Sequence, residues 1–150
     1  MYSPDFVGPV QWKYFYRGDA TARTDFLSSM AQERGVPATT DFLNNRASGT
    51  FGDLYAEHGV GSQGLPTIGV SDNPAVAEYF ARGPYQNQNG FVTTFRLSPQ
   101  DVETFAIPNY ENDFSFFENN PDIGLPEREY LFHVQIDPKY AVKQVQVGPK

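Results

Sequence analysis

The sequence predicts an α+β domain with a mixed or antiparallel sheet, and three observations carry that prediction. The chain opens on strict alternation over residues 10–17, before any helical pattern begins. Apolar spacing of helical period then recurs through residues 22–82, interrupted by one short strand pattern. From residue 90 onward the ordered pattern is mainly period two again, and it closes on two strands. A strand, then helices, then mostly strands is an α+β order, because a doubly wound sheet alternates strand and helix throughout.

Each element has a local cause. In VQWKYFYR, Val10, Trp12, Tyr14 and Tyr16 face one side of a strand and Gln11, Lys13, Phe15 and Arg17 the other, with Gly18-Asp19 as its end. In residues 22–34, Phe26, Leu27, Met30 and Ala31 stand at helical spacing, Thr24 is a candidate N-cap and Gly35 a stop. Weaker helices are expected over 41–45 and 51–57, the second closed by Gly59 and followed by a glycine-rich loop. TIGVS, residues 67–71, reads as a short strand. Asn73-Pro74 then supplies a cap and a first helical residue for a helix over 75–82, which Gly83-Pro84 ends. Residues 90–97 alternate. Residues 98–126 are mostly irregular, yet Tyr110, Phe114, Phe116 and Phe117 argue against simple disorder, and loops of that length are commonly functional. Strands over 129–136 and 141–147 complete the chain.

Composition bounds the function. At 150 residues, 39% apolar and 19% charged, the chain fits one globular domain with its own core. The absence of cysteine excludes disulfides and thiolate metal sites. A net charge of -7 disfavours non-specific binding to nucleic acid or anionic lipid, without forbidding a local basic groove. No stretch approaches the roughly 18 apolar residues of a spanning helix, and Met1 to Val10 has no apolar run of the signal-peptide kind. A soluble domain, compatible with a piece of a longer polypeptide, is expected.

The candidate chemistry lies at three places. Glu127 and Glu129 flank Arg128 at the mouth of a strand, so their side chains share a side. That side continues with Leu131 and His133, while Tyr130, Phe132, Val134 and Ile136 form the packed face. The acids are therefore expected to face water or a cleft, an ordinary solvated strand end being the plain alternative. Arg17 closes the first strand, where a guanidinium can hold a phosphate or carboxylate through two hydrogen bonds. Ser71 sits at a strand-to-helix junction, near the N–H groups of the next helix. Taken singly, Arg17 reads better as a surface arginine and Ser71 as a turn serine. His58 precedes a glycine at a helix end, which suits the helix dipole, and His133 is about 13 Å along the strand from Glu129. Neither has metal-ligand spacing, and no metal is expected.

The order of these motifs changes their meaning. Tyr-Arg-Gly-Asp ends an aromatic strand, a hydrophobic strand ends in Ser71 before Asp-Asn-Pro-Ala-Val-Ala-Glu-Tyr-Phe-Ala, and Glu-Arg-Glu opens an aromatic strand. This combination, from about Tyr14 to Val147, resembles the arginine–serine–glutamate class of bacterial ADP-ribosyltransferase toxin domains. That is the class of cholera toxin and of C-terminal toxin tips on Rhs-type effectors. The resemblance implies a mixed β-sandwich core around an NAD cleft, with helices in the N-terminal half. It implies that Arg17, beside Gly18, grips NAD phosphate, and that Ser71 orients the catalytic Glu129, which bonds the nicotinamide ribose. Glu127 would prepare the acceptor, and residues 119–126 would contact the target. Asp72 and Asn73 depart from the Ser-Thr-Ser motif that the class carries there. Tyr79, Phe80 and Tyr85 could wall the nicotinamide, although Tyr79 and Phe80 also suit a helix core face.

Breaking the nicotinamide–ribose bond develops positive charge on the sugar, which a fixed carboxylate stabilises. A protonated arginine acceptor needs a base close by, which gives the second acid a separate task. The expected reaction is transfer of ADP-ribose from NAD to a macromolecule, with protein arginine as first acceptor and structured RNA as second. NAD glycohydrolase and a non-catalytic partner-binding module are the competing readings. The resemblance further implies a monomeric, secreted or injected effector acting in the target-cell cytosol, with a cognate immunity protein and no membrane partner.

Overall fold

The computed structural model describes residues 9–109 and 128–150. Its elements in chain order are β1 (Lys13–Asp19), α1 (Ser29–Arg34), α2 (Val36–Asn44), α3 (Phe51–Val60), β2 (Thr67–Ser71) and α4 (Pro74–Arg82). They continue with β3 (Gly90–Leu97), α5 (Pro99–Phe105), β4 (Ile107–Pro108), β5 (Glu129–His133) and β6 (Ala141–Val147). The fold is α+β. The strands form one six-stranded sheet in the order β4-β5-β2-β1-β3-β6. Every pairing among the described residues is antiparallel, so the sheet is not mixed.

The sheet has a narrow seam. β1 pairs with β3 over seven positions and β2 with β5 over five, but β1 meets β2 at Tyr16 and Ser71 alone. Side chains of the two halves nevertheless meet over one face. The ring of Phe15 on β1 lies 4.8 Å, edge-on, from that of Tyr130 on β5. Phe26 meets Phe95 in the same way, also at 4.8 Å. Phe15, Phe26, Ile68, Phe95, Phe132 and Ile136 thus share one core between the halves. Edge-to-face ring pairs add about 0.5–1.5 kcal/mol each beyond their burial.

Helices cover the opposite face. α4 lies over β1 and β3 at backbone contact, because Gly18 carries no side chain: a Cβ there would overlap the Ala77 carbonyl oxygen and stand 2.7 Å from Ala81 N. Val76, Ala77 and Ala81 are its buried face. The cap is the expected one, with Asn73 Oδ1 accepting from Ala75 N–H at 3.0 Å. On the other half, Leu54 of α3 packs with Leu43 and Leu65.

Four local expectations are corrected. The helix expected over 22–34 begins at Ser29, capped by Ser28 rather than Thr24. Residues before it run along the end of β5 instead, where Leu27 bridges Gln135 and Ile136 N–H donates to Phe26 O at 2.9 Å. The helix expected at Asp41 begins earlier, at Val36. The stretch expected to be irregular contains α5, which Ser98 caps through Asp101 N–H. The last correction is at β5, which stops at His133. Val134 takes φ 68, and Gln135 N–H donates to His133 O at 2.7 Å, a turn that ends the alternation.

Candidate active site

Ser71 and Glu129 stand directly opposite one another in the β2–β5 ladder. Cross-strand partners have Cβ atoms about 4.5–5.5 Å apart, so the two side chains share one spot on one face. Ser71 also pairs with Tyr16, the residue before Arg17. Three motifs that are far apart in sequence therefore converge at the seam.

Arg17 lies where β1 and β2 part. Its Nη1 donates to Gly69 O at 2.8 Å, so the guanidinium satisfies a carbonyl near the point where the ladder between the two strands stops. Its Nη2 pairs with Asp19 Oδ1 at 3.2 Å, and Arg23 Nη1 reaches the same oxygen at 3.2 Å. Burial pulls the guanidinium below its ordinary pKa, and Asp19 opposes that shift. The charge persists, since arginine is not deprotonated in proteins. Arg17 Nε is buried and has no hydrogen-bond partner among the described residues. Beside it opens a cavity of about 250 Å³, walled by Arg17, Arg23, Gln32, His58, Ser62 and Thr67 among others.

Glu129 is 7% exposed. Of the two expected surroundings for this side of β5, water or a cleft, open water is excluded: Leu131, on the same face, is fully buried, and His58 of α3 approaches the carboxylate. Asn109 Nδ2 donates to Glu129 Oε1 at 2.8 Å. His58 Nε2 stands 3.9 Å from Glu129 Oε2. That distance falls in ion-pair range, but burial, reinforced by Arg17, lowers the His58 pKa to about 4. The imidazole is neutral near pH 7, and the contact is not an ion pair. Its Nδ1 is fixed by Thr67 Oγ1 at 2.7 Å. Gly69 makes this approach sterically possible, since a Cβ there would lie 3.0 Å from Glu129 Oε2 and 3.1 Å from His58 Nε2.

The remaining expected residues divide. Ser71 is buried, and its Oγ accepts from Asn73 N–H at 3.0 Å, tying the strand end to the start of α4. Gly18 serves contact with α4. Tyr79 is half-buried and Phe80 exposed, so neither is core; their rings meet edge-on at 6.1 Å. Tyr85 is 83% exposed beyond the far end of α4, about 13 Å of helix from Ser71, and the structure does not bring it to the carboxylate. Glu127 and the segment 119–126 lie outside the described residues. Among the motif departures, Asp72 accepts from Lys13 Nζ at 3.1 Å and from both Arg128 Nε and Nη2 at 3.1–3.3 Å. That clamp holds Arg128 at φ 53, directly before Glu129.

The structure adds Asn109 and Gly69, which the sequence did not mark, and makes His58 a buried neutral imidazole where a helix-end cation was expected. Only Gly69 carried a visible signal, as a glycine inside a strand pattern. His133 is engaged away from the carboxylate, with its Nε2 2.7 Å from Tyr55 OH. No group of acids, histidines or cysteines able to hold a metal ion occurs among the described residues. No helix there is long and apolar enough to cross a membrane. No family model matches the chain, and no curated protein matches it.

Proposed function

We propose that the chain is an NAD-consuming mono-ADP-ribosyltransferase domain whose cleft is bounded by Arg17, Ser71 and Glu129. One observation carries this reading: the Ser71–Glu129 pair sits at the seam where β1 leaves β2, and Arg17 fills the opening. A core shared by side chains of both half-sheets suits the sandwich of that enzyme class, although the pairings are antiparallel. A buried carboxylate is also costly to desolvate, and such groups are concentrated at functional sites.

The residues present suit a dinucleotide. Arg17 lines the cavity and has a buried Nε without a partner among the described residues, a donor that a shift of the side chain would present to a phosphate or ribose oxygen. The cavity, at about 250 Å³, is smaller than the roughly 300–1,000 Å³ usual for ligand pockets and is lined by Arg17 but by neither Ser71 nor Glu129, so NAD would extend beyond it to reach the carboxylate. In the proposed reaction the C1′–N bond breaks, and its electron pair leaves with neutral nicotinamide. Glu129 stabilises the positive ribose, an acceptor lone pair forms the new bond to C1′, and the acceptor proton passes to Glu127. The scheme uses no metal. Protein arginine is the first acceptor and structured RNA the second. In this reading the domain is a monomeric, secreted or injected toxin acting in the target-cell cytosol, with an immunity protein that closes the cleft.

Incubation with labelled NAD and cell lysate, followed by parallel protease and nuclease digestion, tests catalysis and acceptor together. Label that protease releases is the expected result. Free ADP-ribose alone would make the domain a glycohydrolase, and no NAD turnover would make it a binding module. Glu129→Gln is expected to lose both transfer and hydrolysis by several kcal/mol, on the order of an oxyanion-type electrostatic contribution. Glu127→Gln is expected to lose transfer while retaining NAD hydrolysis; equal loss of both would refute the division of labour.

A further inference from the structure

Residues 72 and 73, which depart from the Ser-Thr-Ser motif, have partners of their own. Asp72 holds Lys13 and Arg128, and Asn73 caps α4. The structure offers a different hand on the carboxylate. Asn109 is 6% exposed and lies at the end of β4, next to β5. Its backbone N–H donates to Glu129 O at 2.8 Å. Its side-chain Nδ2 donates to Glu129 Oε1 at 2.8 Å and to Tyr55 O at 3.2 Å. A carboxylate and a carbonyl only accept, so these two partners fix which end of the amide faces them. The second bond anchors the amide to α3, leaving it little freedom to follow a wandering glutamate.

We infer that Asn109 is the positioning residue that sets the Glu129 carboxylate against the ribose, an inference that rests on the transferase reading. Asn109 holds one carboxylate oxygen, and the neutral His58 with the missing Cβ of Gly69 defines the space for the other. Asn109 acts through Glu129 and not through the dinucleotide. Its loss therefore lowers kcat and leaves the KM for NAD unchanged.

The test uses the full chain and two variants. Asn109→Ala is expected to lower kcat about 10- to 100-fold, the scale of a misplaced reacting group, with KM for NAD within about twofold. Asn109→Asp replaces the donor by a carboxylate facing another carboxylate, and two such groups share one proton. The introduced carboxyl, once protonated, can then donate to Glu129 as the amide did. Activity of Asn109→Asp is thus expected to recover, relative to wild type, as pH falls from about 8 to about 5. Among the described residues, the charged or titratable groups facing the carboxylate are Arg17 from β1 and His58 from α3, and β2 contributes Thr67 and Gly69, which do not titrate. His58, with a pKa of about 4, stays neutral across that range. A separate arm follows the Asn109 side-chain amide protons by NMR in wild-type and Glu129→Ala protein, where a change on substitution reports the bond without any NAD. An Asn109→Ala loss confined to KM, a pH profile of Asn109→Asp parallel to wild type, or an unmoved amide signal overturns the positioning role. Wild-type protein that consumes no NAD overturns the transferase reading and the role with it.

Discussion

Gly69→Ala disturbs the proposed chemistry without removing any functional group. The backbone of Gly69 does not occupy the left-handed region, so alanine adds no conformational strain there. The added methyl would lie 3.0 Å from Glu129 Oε2 and 3.1 Å from His58 Nε2, against ordinary contact from 3.4 Å. Both neighbours must retreat by about 0.3–0.4 Å, while Asn109 holds the far carboxylate oxygen and Thr67 holds the far imidazole nitrogen. A 1 Å misplacement can cost about 100-fold in rate. Scaled log-linearly, a shift of this size corresponds to about fivefold in kcat, or about 1 kcal/mol of activation free energy. NAD consumption at saturating substrate reads the rate, and urea denaturation of the same sample reads stability, which is expected to change by less than about 1 kcal/mol. Wild-type kcat in a folded Gly69→Ala protein would refute the claim that the carboxylate and imidazole are fixed across this glycine.

Two further outcomes follow from the fold. Gly18→Ala drives a methyl into the Ala77 carbonyl of α4 and is expected to cost at least about 2 kcal/mol of unfolding free energy by urea denaturation; unchanged stability would refute backbone contact between β1 and α4. His58 is held well below its ordinary pKa, at about 4, because burial penalises the charged form and Arg17 repels it. The unfolded chain therefore takes up this proton first, so the stability is full above about pH 6.5 and is lost as pH falls toward 4. The loss approaches about 3 kcal/mol at pH 4, and the difference between wild type and His58→Asn in pH-dependent urea midpoints isolates it. Parallel profiles for the two proteins would contradict the buried neutral imidazole.

Local chemistry made parts of this molecule legible. Asn73-Pro74 announces α4 because cap and first-turn residues act within four positions, and Ser98-Pro99 carries the same signal for α5, although composition pointed to a loop. The period of β2 and β5 placed Ser71 at a strand end and Glu129 at a strand start, which is what puts them opposite each other. Non-local packing decided the rest. Phe26 and Leu27 keep helical spacing, yet they are drawn along the end of β5, so α1 starts at Ser29. Alternation marks only one face of β5 as core, since it cannot foresee that His58 of α3 and Asn109 close over Glu129 on the other side. Gly18 looked like a strand end beside a candidate arginine, and its missing side chain is required by a helix more than fifty residues later. Asn109 belongs to no pattern. Its role arises from three hydrogen bonds to residues 20 and 54 positions away.

The central claim, that one dinucleotide touches Arg17, Ser71 and Glu129, is tested most directly by titrating a non-cleavable NAD analogue into isotope-labelled protein and following backbone amides by NMR. The account predicts that the signals of Arg17, Gly69, Ser71 and Glu129 move together with a single Kd, and that Arg17→Ala weakens that Kd. Signals of the two half-sheets that saturate at different concentrations, or a seam that does not respond while another surface does, would contradict it.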